Sequence, residues 1–158
     1  MAAGPSLELQ NWINDHKSEV HSAVGDFHGY DVITAWMRII DLLEQYGAPV
    51  SLQDEARTLR DALASPMLDK HDHDALRLLA VKLKSERSQA AISAAIHEAV
   101  ASGSLSSAVG DRLNERLGSS GGIHPEFSLG ACGFCGLLGS FSGPVGSAVA
   151  CVICGAAA

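Results

Sequence analysis

The strongest constraint on the fold of this chain is a long segment without charge that contains all of its cysteines. After Glu126 no residue is charged, and the cysteines form two matching pieces, Cys132-Gly-Phe-Cys135 and Cys151-Val-Ile-Cys154, each followed by glycine. The residues between the two pieces are uncharged as well. A short and weakly hydrophobic segment cannot order itself alone, so crosslinks, a bound metal or a membrane would have to supply the order.

The residues before this segment have the composition of a different kind of protein. All 11 Lys and Arg lie at or before Arg116, together with 17 of the 18 acidic residues. No basic patch stands out, so we expect no nucleic-acid partner. The N-terminus lacks the basic and apolar regions of a secretory signal, so we expect synthesis in the cytoplasm. Thiols stay reduced in that compartment unless a metal, an enzyme or export changes their fate.

The charged part of the chain predicts a helical bundle. Apolar residues recur at helical spacing over six stretches: 6–24, 31–46, one opening at Ser51, about 72–86, 88–101 and 105–117. Ser6, Asp31 and Ser51 are expected N-caps, and Gly118 is expected to end the last helix. The predicted fold class is therefore all-α, a bundle with a flexible or crosslinked Gly/Cys-rich C-terminal tail.

A glycine- and serine-rich joint divides the chain into three predicted parts. Residues 1–118 form a helical leader or carrier domain, and 119–122 form a linker that ends in Gly121-Gly122, a possible cleavage junction. Residues 123–158 form an apolar, cysteine-paired core peptide.

The histidines of the helical part do not predict a metal or catalytic site. His16 and His21 are five residues apart on one predicted helix, so their side chains diverge by about 140° and would not bind one ion together. At a helix N-terminus, Asp72 and Asp74 in the run His71-Asp72-His73-Asp74 are expected as caps and dipole partners. No nucleophile elbow, phosphate loop or dinucleotide motif is present, so we predict no enzyme activity and no catalytic residues.

Metal binding is one interpretation of the cysteine-paired tail. The spacing C-x2-C-x15-C-x2-C suits a site in which four thiolates bind zinc. Against this interpretation, the intervening residues lack the charge and the strand alternation of a small zinc-binding hairpin. Zinc is therefore the cofactor of the alternative interpretation, and no cofactor is expected otherwise.

Membrane association is a second interpretation. Residues 127–158 are long enough to span a bilayer, and glycines recur every three or four residues, including a Gly139-x-x-x-Gly143 motif. Pro144 splits the segment, which favours a conditional inserter over a stable anchor. The candidate membrane contacts are its large apolar residues: Leu137, Leu138, Phe141, Val145 and Val149.

A third interpretation comes from the layout of the whole chain. An acidic helical leader, a Gly121-Gly122 junction and a short Gly/Ala/Ser/Cys-rich core resemble the precursors of bacterial ribosomal peptides, bacteriocins in particular. Leu113, Glu115 and Leu117 precede the two glycines, as apolar residues and a glutamate do in double-glycine leaders, although the leucines are out of the usual register.

This resemblance implies a specific fate for the tail. A peptidase would cut after Gly122, and a transporter would export the product. The four cysteines would become disulfides or thioethers, the latter through a modifying enzyme, and would close a hairpin around Gly143-Pro144. Four cysteines allow three disulfide pairings, and the sequence does not choose among them.

The sequence thus predicts the precursor of a secreted, membrane-directed antimicrobial peptide. Its partners would be a processing peptidase and transporter, or a modifying enzyme, and the target membrane. The alternative is a small zinc-binding module, with Cys132, Cys135, Cys151 and Cys154 as ligands, on a helical interaction domain.

Overall fold

The computed structural model describes residues 4–25, 27, 29–66, 68–86, 88–119 and 132–157. All regular elements within these ranges are helices, which confirms the predicted all-α class. A short 3-10 helix, Ser140–Ser142, lies between the last two α-helices. The α-helices are α1 Leu7–Asp15, α2 Lys17–Val24, α3 Val32–Gln45, α4 Val50–Ala62, α5 Lys70–Lys82, α6 Gln89–Ala101, α7 Ser107–Ser119, α8 Phe134–Gly139 and α9 Gly146–Ala157.

The first predicted helix is two helices, and the break between them is at His16. In a continuous helix the N–H of His16 would bond to the carbonyl of Trp12. Here the carbonyl of Trp12 accepts a hydrogen bond from the His16 ring instead, with Nδ1 2.7 Å from the oxygen. The backbone N–H of His16 bonds to Ile13 O. The ring also stacks on the Trp12 indole at 3.8 Å between centroids. The side chain of His16 is therefore half-buried, and it interrupts the helix.

The predicted helix ends were correct in part. Ser6 caps α1 through its hydroxyl, as expected, whereas Asp31 precedes α3 without a side-chain hydrogen bond to its first turn. The prediction that Ser51 caps a helix is wrong, because α4 already begins after Pro49. Gly118 was expected to stop the last helix of the body, but it lies within α7.

The Asp72 side chain links two helices rather than capping its own. Asp69 is the N-cap of α5 and accepts a hydrogen bond from the backbone N–H of Asp72. The buried Asp72 carboxylate accepts hydrogen bonds from the N–H and the hydroxyl of Ser106, both at 2.8 Å. It thereby holds α5 against the residue that precedes α7. Asp74 instead pairs with Lys70, whose ammonium hydrogen bond lowers the pKa of the Asp74 carboxyl.

The buried apolar side chains form two clusters, and the C-terminal segment contributes to both. The first cluster joins α1 to α4 with Val145 and four residues of α9. The second joins α5, α6 and α7 with Tyr30, Phe141 and three residues of α8. Residues 132–157, which the sequence suggested as an appended tail, therefore complete the apolar core of both halves of the helical body.

Candidate functional site: the disulfide-linked C-terminal segment

The four cysteines are joined in two disulfides. Cys132 pairs with Cys151 and Cys135 pairs with Cys154, with Cα–Cα distances of 5.2 and 6.6 Å. Both distances lie within the range that disulfides span. The pairing is interleaved, first with third and second with fourth, so it is one of the three pairings that the sequence left open. All four cysteines of the chain are used in this way.

Glycines allow the two helices of the segment to lie against each other. A Cβ added to Gly139 would come within 2.5 Å of both Ala150 Cβ and Gly146 O. Only glycine fits at such a close approach between helix backbones. Gly143 does not belong to this contact, because it has φ 96° and forms the turn with Pro144 between the helices. The two glycines of the Gly139-x-x-x-Gly143 motif therefore do not lie on one helix face, although the hairpin around Gly143 is present.

The candidate membrane contacts are all buried in this structure. Their side chains are between 0 and 7 % exposed. Leu137, Leu138 and Phe141 lie in the second cluster, and Val145 and Val149 lie in the first. None of the five faces solvent, so a membrane could reach them only after the segment leaves the helical body. Their role as membrane contacts stays a prediction about the released segment.

A hydrogen bond, a cation–π contact and a close backbone approach fix the position of the segment on the body. The backbone N–H of Ala64, in the loop after α4, donates to Ser142 O at 2.9 Å. The guanidinium of Arg112, on α7, lies 4.5 Å from the centre of the Phe141 ring. Gly29 packs so closely on α8 that an added Cβ would lie 3.0 Å from Cys135 Cα and from Leu138 Cβ. Sequence reasoning missed these three body residues, because their only signal is the position that the fold gives them.

One buried hydroxyl in the segment has no partner in the part of the chain that the structure describes. Ser142 is fully buried, and its Oγ forms no hydrogen bond there. The neighbouring Ser140 differs, since its hydroxyl donates to Leu137 O at 2.7 Å. A buried hydroxyl that is left unsatisfied costs about 1–3 kcal/mol.

The proposed cleavage junction lies outside the described residues. Gly121 and Gly122 belong to the stretch 120–131, between the end of α7 and Cys132. The position of the junction in the chain is thus between the last helix of the body and the first disulfide. Cleavage after Gly122 stays a prediction.

Two properties of the described residues bear on the metal-binding and membrane-spanning interpretations of the tail. Within the described residues no group of three or more His, Cys, Asp and Glu side chains could hold a metal ion. No helix among those residues combines the length and the apolarity needed to cross a bilayer.

A surface groove of about 290 Å³ lies apart from the predicted site. Its lining includes Tyr30, Arg38, His73 and Arg77. Burial raises the pKa of the Tyr30 hydroxyl, and the positive charge of Arg77 acts in the opposite direction. The Tyr30 and His73 rings meet edge to face at 4.5 Å, and Arg38 donates to Ala23 O. The first contact joins the region before α3 to α5, and the second joins α3 to α2.

Comparisons with protein-family models, with curated proteins and with solved structures found no match to this chain.

Proposed function

We propose that the chain is the precursor of a secreted, membrane-directed antimicrobial peptide, with residues 123–158 as the peptide and the helical body as its leader and carrier. The observation that carries this proposal is the burial of a disulfide-linked pair of helices by that body. The body covers the large apolar side chains of the segment in two clusters. A peptide that acts on membranes needs such cover while it is inside the cell that makes it.

The crosslinks support a separate existence for the segment. Two helices of six and twelve residues would not stay folded on their own in water. Two disulfides between them restrict the unfolded chain and hold the helices together. Once the body is gone, Leu137, Phe141 and Val149 would form part of an exposed apolar surface, and such surfaces bind membranes.

The charge of the segment determines how it would bind a membrane. Residues 123–158 contain no Lys or Arg, and Glu126 is the one acidic residue. Attraction to anionic lipid therefore contributes nothing, and burial of apolar surface supplies the binding. We expect the oxidised peptide to release dye from zwitterionic vesicles at least as well as from anionic ones. Added salt should change this release little, because no favourable charge interaction is screened.

The mass of the products of the native host tests the proposal. Cells and medium are analysed by intact mass, before and after denaturation with thiol alkylation. We expect a fragment that begins at Ile123 and has no free thiol. A chain that carries Gly121→Val and Gly122→Val is the control and should stay intact, because the junction is lost. Finding only intact wild-type chain in both cells and medium would refute the precursor function.

The same experiment tests the zinc-binding alternative. A zinc adduct that disappears on denaturation and leaves four alkylatable thiols would favour a zinc module on a helical domain. The disulfides of this structure leave no thiolate for a metal, so the two proposals predict opposite thiol counts.

A further inference from the structure

The contacts that hold residues 132–157 in place come from both halves of the helical body. Helix α9 packs with α1, α2 and α3, whereas α8 packs with α7. The segment therefore occupies a groove whose walls are two separate groups of helices. A groove filled by apolar side chains from two sides excludes water from its occupant more completely than a single face does.

The groove also recognises the shape of its occupant. The N–H of Ala64 bonds to the turn at Ser142, and the Arg112 guanidinium covers the Phe141 ring. Gly29 leaves room for the backbone of α8 only because it has no side chain. These contacts lie at two places along residues 132–157, on α8 and at the adjacent residues Phe141 and Ser142, so they fix the orientation of the segment as well as its depth.

None of the contacts just named uses residues 120–131, which connect the two parts of the chain. A cut after Gly122 would therefore remove none of them. Loss of the covalent link alone would change the connection from intramolecular to intermolecular, which lowers the effective concentration of the segment but leaves its interface intact.

We propose that the helical body is a binding partner of its own C-terminal segment, and that the two pieces remain together as a noncovalent complex after cleavage. This inference rests on the proposed function for its biological setting. In the complex the body keeps the membrane-binding side chains covered, so it inhibits the peptide. Activity then begins when the complex dissociates and not when the chain is cut.

A chain that can be cut at will tests this inference. A site-specific protease sequence with Gly/Ser spacers is inserted after Gly122 in the full-length oxidised protein, which is then cut and passed through a gel-filtration column. We expect both pieces to elute together in buffer and separately in denaturant. We also expect the cut complex to release little dye from zwitterionic vesicles, whereas peptide freed in denaturant and diluted onto them releases it. Separation of the pieces in buffer, or full dye release by the cut complex, would overturn the inference.

A pair of glycine variants locates the interface. Gly29→Ala places a methyl group against α8 and should weaken retention of the peptide about tenfold or more. Gly47→Ala is the matched control, because Gly47 also has positive φ but its Cβ would meet nothing within 4 Å. Equal retention in the two variants would contradict the assigned interface.

A surface variant covers the case in which Gly29→Ala fails to fold. Arg112 is exposed, and Arg112→Gln removes its contact with the Phe141 ring. We expect dissociation to become about twofold to fivefold faster with an unchanged helical spectrum. An unchanged dissociation rate would contradict the role given to this contact in holding the segment on the body.

Failure of this inference is distinguishable from failure of the proposed function. Pieces that separate in buffer, while the native host still releases a fragment from Ile123, would leave the precursor function standing without inhibition by the body. Pieces that stay together, in a host that never cuts the chain, would establish the interface and refute the precursor function.

Discussion

The interleaved disulfides allow a quantitative prediction about the stability of the uncut chain. One variant lacks the first bridge through Cys132→Ala and Cys151→Ala, a second lacks the other through Cys135→Ala and Cys154→Ala, and a third lacks both. Each pair is removed as a unit, so that no unpaired thiol is left to exchange with the remaining bridge.

The expected free energies follow from the loops that the bridges close. Each bridge spans a sequence separation of 19, which alone would stabilise the fold by about 3 kcal/mol through the entropy of the unfolded chain. When one bridge is present, the other closes a ring made only of residues 132–135 and 151–154. This smaller ring contributes about 2.5 kcal/mol. Removing either bridge should therefore cost about 2.5 kcal/mol, and removing both about 5.5 kcal/mol, slightly more than twice the single cost.

Urea unfolding followed by tryptophan fluorescence measures these costs. Trp36 is fully buried in the first apolar cluster, which includes four residues of α9. Its emission therefore changes when the segment leaves its place and exposes the cluster. Wild-type protein in excess reductant is the control, because it keeps all four sulfur atoms and should match the variant without bridges. The reductant should not change the free energy of unfolding of that variant.

Two results would refute this reasoning. If reduction changed the wild-type free energy of unfolding by less than about 0.5 kcal/mol, the bridges would not restrict the unfolded chain as the loop lengths require. If removal of both bridges cost no more than removal of one, the interleaved pairing would be wrong.

Four single substitutions test the packing and charge of individual residues. Gly139→Ala should lower the free energy of unfolding by about 1–3 kcal/mol, because the added methyl group forces α8 and α9 apart. The methyl group of Gly155→Ala meets nothing within 4 Å, so this substitution should raise the free energy of unfolding by about 0.5–1 kcal/mol through helix propensity. Urea unfolding measures both effects. Ser142→Ala should leave stability unchanged or raise it by about 1 kcal/mol, since it removes a buried hydroxyl without a partner among the described residues, and a clear loss in thermal unfolding would show that the hydroxyl has one. Lys70→Met should raise the pKa of Asp74 towards its ordinary value, as NMR titration would show. Because folding lowers this pKa, the stability that the pair contributes is present above the unfolded pKa and is lost as the pH falls through the folded one.

The sequence predicted the helical body well because its helices have one polar and one apolar face. In α3, the apolar residues Trp36, Ile39 and Leu43 recur at helical spacing and are all buried. The errors are at helix ends, because side-chain contacts determine where a helix begins and ends. The ring of His16 forms a hydrogen bond with the backbone carbonyl of Trp12 and so divides the first predicted helix. The spacing of apolar residues gives no sign of that bond.

The C-terminal segment was harder to predict, because it is surrounded by apolar residues. Helix α9 contains no charged residue and is buried along its first five residues, so its sequence has no amphipathic pattern to find. Its glycines are equally ambiguous, since Gly139 sits in a helix contact and Gly143 in a turn. The cysteine spacing indicated crosslinks or a metal, but it left the pairing open. Only the positions of α8 and α9 on the body select the interleaved pairing.

The place of the C-terminal segment in both apolar clusters also has a consequence for how the chain folds. Leu9 and Ile13, near the start of the chain, share a cluster with Ile153 and Ala156. Contacts between residues so far apart in sequence slow folding, so this bundle should fold more slowly than helical proteins with mostly local contacts. During synthesis both halves of the body emerge before the residues that complete their interiors. The nascent chain therefore exposes apolar surface on two groups of helices, which makes it a substrate for chaperones until residues 132–157 are made.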